Sequence, residues 1–148
     1  TKALSESFLK NDKRVYIWRL RVPFSNIDSD RNYISKILKC NELNWCANSL
    51  TDIDEFCQAC IQCIIKKIPL GIYNLTNQGA MTASEVVDMA KSILMVNNTY
   101  IEYSPDDLHK IVPRSNCILN VQKALKNGIK LTPVRDAIEK ALKNWIKA

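Results

Sequence analysis

Two short runs, at 15–22 and 71–76, are rich in β-branched and aromatic residues, and they most constrain what this chain can fold into. Such runs are typical of buried β-strands. The segments around them carry apolar residues at helical spacing, so strands alternate with helices along the chain. This alternation predicts an α/β protein in which the two runs are the most buried strands.

Capping residues place the helix boundaries. Thr51 or Asp52 is a good N-cap for a helix that ends on the basic residues before Pro69. Thr82 and Glu85 have the spacing of a capping box, which predicts a helix reaching about Met95. Further helices are predicted at 2–11, 32–39, 120–126 and from Thr132, and a short one starts at 104–107. Short strands are predicted at 43–46 and 99–103, and Pro23 is expected to end the first long strand.

Three of the six cysteines follow one another at helical spacing, at Cys57, Cys60 and Cys63. This spacing can open an iron–sulfur site, but the fourth ligand and the proline that usually follow are missing. The three residues also continue the apolar pattern of the helix, so we expect a buried stripe rather than a cluster. No close disulfide framework is evident, which favours a reducing cytoplasm.

The 148 residues carry a formal net charge of +6, spread over many scattered lysines. We expect most of these lysines to lie on solvated helix faces. The basic charge comes without any nucleic-acid-binding motif, so a nucleic-acid partner is not expected. No apolar run approaches the length of a membrane span, so a membrane partner is not expected either. The chain contains only three glycines, and no glycine-rich phosphate-binding loop occurs.

The segments 71–77, 82–85 and 113–116, together with Thr1-Lys2 and Arg21-Val22-Pro23, give the chain a family likeness. It resembles the C-terminal half of an extended short-chain dehydrogenase/reductase of the sugar-nucleotide type. The sequence of these segments most resembles that of the bifunctional nucleotide-rhamnose 3,5-epimerase/4-reductases, followed by that of the 4-dehydrorhamnose reductases. The resemblance implies the last strands of a parallel Rossmann-type sheet plus a small substrate-binding α/β subdomain. Residues 1–148 would form a single unit whose N-terminal dinucleotide-binding part is absent.

The resemblance also implies catalytic and cofactor-binding residues. Lys2 stands where the family has the lysine of its Tyr-x-x-x-Lys pair, and the tyrosine would fall three residues before Thr1. In such enzymes the lysine supports the proton-donating tyrosine and binds the nicotinamide ribose. Pro23 would also adjoin the cofactor, NADP(H) or NAD(H), which the absent half would mainly bind. An exposed terminal lysine is the alternative interpretation of Lys2.

Four further residues are implied on the substrate side. Lys36 matches the lysine that the rhamnose epimerase/reductases carry in a very similar context, and it would transfer a proton during epimerisation. Arg114 is the candidate for pairing with the substrate diphosphate, because a guanidinium binds phosphate through two parallel hydrogen bonds. Asn116 and Asn77 would shape the same pocket, or only the turns.

These expectations leave several functions open. The parent protein would convert a nucleotide-linked 4-keto-6-deoxyglucose to nucleotide-linked L-rhamnose. It would bind a nucleotide-diphosphate sugar and could form a homodimer. A plain 4-dehydrorhamnose reductase is an alternative. So is a non-catalytic remnant that binds a nucleotide sugar or a partner, since the 148 residues lack the glycine loop and the tyrosine. A small iron–sulfur protein is the last alternative.

Overall fold

A computed structural model of the chain describes residues 2–103 and 115–147. The helices are α1 (Lys2–Leu9), α2 (Tyr33–Leu38), α3 (Ile53–Ile65), α4 (Ala83–Leu94), α5 (Gln122–Lys126) and α6 (Val134–Lys143). The strands are β1 (Tyr16–Arg19), β2 (Pro23–Phe24), β3 (Glu42–Asn44), β4 (Thr51–Asp52), β5 (Gly71–Asn74) and β6 (Ile101–Tyr103). The helix predicted from Ser104 lies outside the described residues, as do Pro113 and Arg114.

The described strands form parallel pairs, each joining segments far apart in the sequence. β1 pairs with β5 in a register that sets Tyr16 opposite Gly71 and Arg19 opposite Asn74. β2 pairs with β4, and β3 pairs with β6, both also parallel. Parallel pairs require crossover connections, and here helices supply them. The predicted α/β class with parallel strands is therefore confirmed.

Two apolar cores hold these elements together. The first core buries α4 and α6 against each other and against α2, and it includes Phe24, Ile34, Leu50, Val86 and Ile138. The second core lies between the β1–β5 pair and α3, and it includes Ala59, Cys63, Tyr73, Leu75 and Leu131. The prediction that the cysteine helix packs beside the second long strand is thus confirmed.

The capping predictions also hold. Asp52 caps α3 by accepting a hydrogen bond from Glu55 N at 3.0 Å. Thr82 and Glu85 form the reciprocal capping box at the start of α4, with both hydrogen bonds present. Such caps satisfy backbone N–H groups that a helix leaves without partners at its N-terminus.

The first long strand differs from expectation. β1 covers only Tyr16–Arg19, its first three residues are half-buried and Arg19 is exposed. Within the described part of the chain, β5 is the one strand that pairs with β1, so the other edge of β1 is uncovered. Pro23 does not simply end this strand, because it begins β2 opposite Thr51. Proline is tolerated there since it is the first residue of its strand.

The cysteine stripe is buried only in part. Cys63 is buried and Cys60 is half-buried, whereas Cys57 is exposed. The inner face of α3 is completed by Phe56 and Ala59, because successive residues of a helix advance by about 100° and carry Cys57 away from the sheet. The prediction of a fully buried stripe was therefore wrong for Cys57. No group of three metal-binding side chains comes together within the described ranges.

Helix α1 stands apart from both cores. None of its eight residues is buried, and Phe8 is 77% exposed. It contacts the sheet through an ion pair and hydrogen bonds between Glu6 and Arg19. Among the described helices, none has both the length and the hydropathy needed to cross a membrane.

Core packing predicts that two isoleucines contribute differently to the free energy of unfolding. Ile138 on α6 is fully buried, and Ile64 on α3 is 60% exposed. We expect Ile138→Ala to lower the free energy of unfolding by about 2–5 kcal/mol, because it removes buried methyl groups and leaves a cavity. Ile64→Ala should change it by no more than about 0.5 kcal/mol. Urea denaturation measures both, and equal losses would contradict the assignment of the first core.

Candidate functional site

The carboxyl ends of β1 and β5 lie at the same edge of their sheet, because the two strands are parallel and in register. Ligands of open parallel sheets bind outside this edge. Residues 20–24 continue from β1 there, and residues 75–77 continue from β5. We name these two segments, together with residues 47–52 that contact them both, the strand edge.

Residues 47–52 run between the two continuations and join them. Thr51 N donates to Val22 O at 3.2 Å, and Asn77 N donates to Leu50 O at 3.1 Å. The Thr51 hydroxyl also donates to Arg21 O at 2.8 Å and accepts from Arg21 N at 3.1 Å. The strand edge therefore has a fixed backbone, held by hydrogen bonds from both sides.

Asn77 is fully buried at the centre of this arrangement. Its Oδ1 accepts from Asp52 N at 2.7 Å, and its Nδ2 donates to Glu55 Oε2 at 2.9 Å and to Thr132 O at 3.0 Å. Both amide protons and the amide oxygen are thus used within the protein. These hydrogen bonds join the turns before α3 and α6, and a role of Asn77 in shaping a ligand pocket stays a prediction.

Glu55 completes the same network from the first turn of α3. Besides Asn77, its carboxylate accepts from Thr132 N at 2.9 Å and from the Thr132 hydroxyl at 2.5 Å. The neighbouring cap residue Asp52 has a raised pKa because burial disfavours its charged form, with a smaller contribution from Glu55. Two carboxylates thus lie close together at this helix N-terminus, and hydrogen bonds from backbone N–H groups stabilise them.

Arg21 follows β1 and presents the cationic group of the strand edge. Its Nη2 donates to Asn48 Oδ1 at 2.8 Å, while its Nε is buried and has no hydrogen-bond partner. Two more buried atoms without partners, Asn74 Oδ1 and Thr76 Oγ1, lie at the end of β5 and just beyond it. Alternation along a strand puts Asn74 and Thr76 on the same side of β5.

The backbone is strained next to Arg21. Val22 has φ 42°, in the left-handed region that β-branched residues rarely adopt. The residue before a proline is further restricted toward extended conformations, and Val22 precedes Pro23. Strained backbone of this kind concentrates at functional sites, where surrounding contacts hold it in place.

Asn116 joins the strand edge through residues 47–49. Its Oδ1 accepts from Ala47 N at 2.9 Å, and Cys117 N donates to Ala47 O at 3.1 Å. Ser49 N donates to Cys117 O at 3.0 Å. Asn48, which holds the Arg21 guanidinium, pairs with Cys117 in a parallel bridge. The structure therefore brings Asn116 close to Arg21, as it does Asn77 and Pro23.

The two predicted catalytic lysines lie on separate helices. Lys2 is exposed at the start of α1, and Lys36 is exposed on α2. Lys36 lies within electrostatic range of Asp30, whose pKa is lowered mainly by the hydrogen-bonded Lys39 and to a smaller extent by Lys36. No contact in the described residues joins either lysine to the strand edge. Arg114 lies outside the described residues.

A groove of about 670 Å³ runs between α3 and α6, and its walls include Asp52, Glu55 and Thr132, the hydrogen-bonding partners of Asn77. Its walls mix carboxylates with lysines, and Lys66 Nζ donates to Gly128 O across it at 2.8 Å. The Lys66 ammonium and the Glu55 carboxylate thus already have hydrogen-bonding partners within the chain. We therefore assign the candidate site to the strand edge, where a buried guanidinium donor has none.

Within the described residues, the three glycines lie apart in the sequence and each has its own surroundings. A Cβ added at Gly71 would meet Lys123 Nζ at 3.4 Å, and one at Gly79 would meet Val134 Cγ1 at 3.3 Å. Gly128 has a positive φ and ends α5. All three glycines of the sequence thus lie near this chain's own side chains, Gly71 at the start of β5 and the other two outside the helices and strands.

No family model matches the chain. A bifunctional dTDP-4-dehydrorhamnose 3,5-epimerase/dTDP-4-dehydrorhamnose reductase of Arabidopsis thaliana is 30% identical over 143 residues, which are 95% of this chain and 47% of that protein. The chain is homologous to part of a nucleotide-rhamnose epimerase/reductase. The resemblance predicted from the sequence is confirmed, and the chain spans about half the length of this relative.

Solved structures share the fold. The UDP-rhamnose synthase of Acanthamoeba polyphaga mimivirus superposes with a TM-score of 0.82 at 24% identity, over 97% of this chain and 50% of that one. The dTDP-4-dehydrorhamnose reductase of Bacillus anthracis, solved in complex with NADP, gives 0.71 at 18% identity, over 97% and 52%. The chain therefore has the fold of about half of a Rossmann-type reductase.

Sequence reasoning missed two residues that organise the site. Arg21 was noticed only as part of a family motif, because the sequence placed it inside the strand predicted at 15–22, whereas β1 ends at Arg19. Glu55 follows the predicted cap by three residues, a spacing that suggests a helix start and nothing more. Its contacts to Asn77 and Thr132 join segments too distant in the sequence for any local pattern to indicate.

The Glu55 network gives a second testable difference. We expect Glu55→Ala to lower the free energy of unfolding by about 2–4 kcal/mol, because it leaves the amide of Asn77 and the N–H of Thr132 without their charged partner. Asp54→Ala, in the same helical turn but exposed, should cost less than about 1 kcal/mol, through the helix dipole alone. Chemical denaturation of both variants gives the comparison, and a Glu55 loss as small as that of Asp54 would contradict the network's role.

Proposed function

We propose that this chain is the substrate-binding part of an NAD(P)H-dependent nucleotide-sugar epimerase/reductase, which converts a nucleotide-linked 4-keto-6-deoxyglucose to nucleotide-linked L-rhamnose. The observation that carries the proposal is the 30% identity to the Arabidopsis bifunctional enzyme across 95% of the chain. A plain 4-dehydrorhamnose reductase is the second candidate, supported by the TM-score of 0.71 to the Bacillus anthracis reductase. A remnant that binds a nucleotide sugar without catalysis remains the third.

In the first candidate, this part needs a dinucleotide-binding half. Two features of the fold support such a complement. The second edge of β1 has no strand beside it in the described ranges, and α1 exposes Leu4, Phe8 and Leu9. A strand added to β1 would continue the parallel sheet, and the apolar residues of α1 would be covered with it. The cofactor would then be NADP(H) or NAD(H), held mainly by that half.

Individual roles follow from the same proposal. Lys36 would exchange a proton beside the sugar ketone, since epimerisation requires a group that removes a proton and one that returns it. Its exposed position on α2 leaves its ammonium open to a ligand. Arg114 would bind the substrate diphosphate, and Asn116 would support that segment through its bond to Ala47. Lys2 and Pro23 would adjoin the cofactor, Lys2 from the exposed helix α1.

A fusion protein tests the proposal as a whole. The 148 residues alone should show no saturable NADPH binding by calorimetry, because their glycines pack on their own side chains. Fused to the half of the Arabidopsis protein that this chain does not match, they should restore NADPH binding and yield nucleotide-linked rhamnose. Tight NADPH binding to the 148 residues would contradict the proposal that the other half mainly binds the cofactor. A folded fusion that binds NADPH but yields no reduced sugar would favour the remnant.

Lys36 separates the first two candidates. In the fusion, Lys36→Ala should slow deuterium uptake from solvent beside the ketone by on the order of a hundredfold or more, because the proton-transferring group is lost. Reduction of an already epimerised sugar should fall much less. Lys39→Ala, an exposed lysine at the end of the same helix, is the matched control and should leave uptake unchanged. Wild-type uptake in Lys36→Ala would make the plain 4-reductase the better assignment.

A further inference from the structure

Arg21 differs from the two arginines that precede it in the sequence. Arg14 places its Nε and Nη2 on Asp12, and Arg19 places the same two atoms on Glu6. The Nη2 of Arg21 instead meets a neutral amide oxygen of Asn48, and its Nε meets none. Within the described ranges, Arg21 makes no ion pair. Its positive charge is therefore not neutralised by a described carboxylate.

A buried donor left without a partner destabilises the folded state, and a charged donor does so more strongly. The described partners of Arg21 are neutral: the amide oxygen of Asn48 meets its guanidinium, and the Thr51 hydroxyl meets its backbone. A guanidinium whose described partners are neutral suits an anion, because the anion's charge balances its own.

The place in the fold points the same way. Arg21 lies two residues beyond β1, at the carboxyl edge where parallel sheets bind ligands. Thr76, two residues beyond β5, also has a buried hydroxyl without a partner. The strained φ of Val22 fixes the backbone between Arg21 and Pro23. Arg21 as a residue is only half-buried, so part of its side chain is accessible to a ligand.

We propose that Arg21 binds the diphosphate group of a nucleotide at the strand edge, with Asn48 orienting its guanidinium. The planar fork of donors matches phosphate oxygens, and the hydrogen bond from Nη2 to Asn48 leaves Nε for the anion. This assignment deepens and rests on the proposed function, because it takes the nucleotide to be the substrate carrier. Neither the carrier's base nor its sugar is involved in the contact.

The first test observes the Nε–H signal of Arg21 by NMR in the 148-residue chain. Inorganic pyrophosphate and UDP should both shift this signal saturably, and the Arg19 Nε–H, paired with Glu6, should not move. NADP⁺ is the comparison ligand. A saturable shift with NADP⁺ and none with UDP would overturn the substrate assignment, and no shift with any of the three would overturn the site.

The second test compares variants by UDP titration. Arg21→Gln should weaken UDP binding by about ten- to a hundredfold, because a charge-assisted contact is lost. Arg21→Lys keeps the charge without the fork and should fall between that variant and the wild type. Arg19→Gln is the matched control, two residues away in the sequence, and should bind UDP as the wild type does. If Arg19→Gln and Arg21→Gln weaken UDP binding equally, the loss reflects the lower net positive charge and not a specific contact of Arg21, and the proposal is overturned.

The outcomes stay separate from those of the fusion experiment. If Arg21 responds to UDP but the fusion yields no rhamnose, the anion site stands and the proposed function fails. If the fusion is active while no ligand shifts the Arg21 Nε–H signal, the function stands and Arg21 is a structural residue. Circular dichroism confirms that each variant is folded, and the wild-type NMR experiment decides the site even where Arg21→Gln does not fold.

Discussion

The buried amide of Asn77 is the interaction on which the candidate site depends. One side chain holds the backbone before α3, the carboxylate of Glu55 within α3 and the backbone before α6. Because α3 belongs to the second core and α6 to the first, the network fixes the two cores relative to each other. The segment between them, residues 47–52, is thereby set between the ends of β1 and β5. Every contact of Arg21 at the strand edge follows from that placement.

The strand edge and the helices carry different kinds of chemistry. The edge offers rigid hydrogen-bonding groups and one cation, which suits recognition of a charged ligand. The exposed lysines on α1 and α2 are mobile ammonium groups, which suit proton transfer once a ligand and a covering half surround them. In the described contacts, the hydrogen-bonded groups lie at the strand edge, where we propose that a ligand binds, and the proposed catalytic lysines lie on exposed helix faces. Such a division is consistent with a chain that matches about half of each relative.

Local patterns in the sequence predicted local structure well. The caps at Asp52 and Thr82 were correct because capping depends on residues only three apart. The burial of β1 and of Cys57 was predicted less well, since burial depends on which elements cover a face, and that is a tertiary property. The family motifs indicated the fold and the importance of the segments around Pro23 and Asn116. They could not show that Asn77 uses all its hydrogen-bonding groups internally, because its partners come from distant segments.

The parallel pairings also bear on how the chain folds. Tyr16 pairs with Gly71 and Glu42 with Ile101, so each pair closes a long loop before it gains any hydrogen bond. The entropy of closing such loops opposes early pairing, and proteins dominated by distant contacts fold slowly, on the order of milliseconds to seconds. The helices depend on local contacts and can form much earlier, and α2, α3 and α4 also have side-chain caps at their starts. We therefore expect the transition state to contain α4 packed on α6, with the strand edge assembled only in the last step.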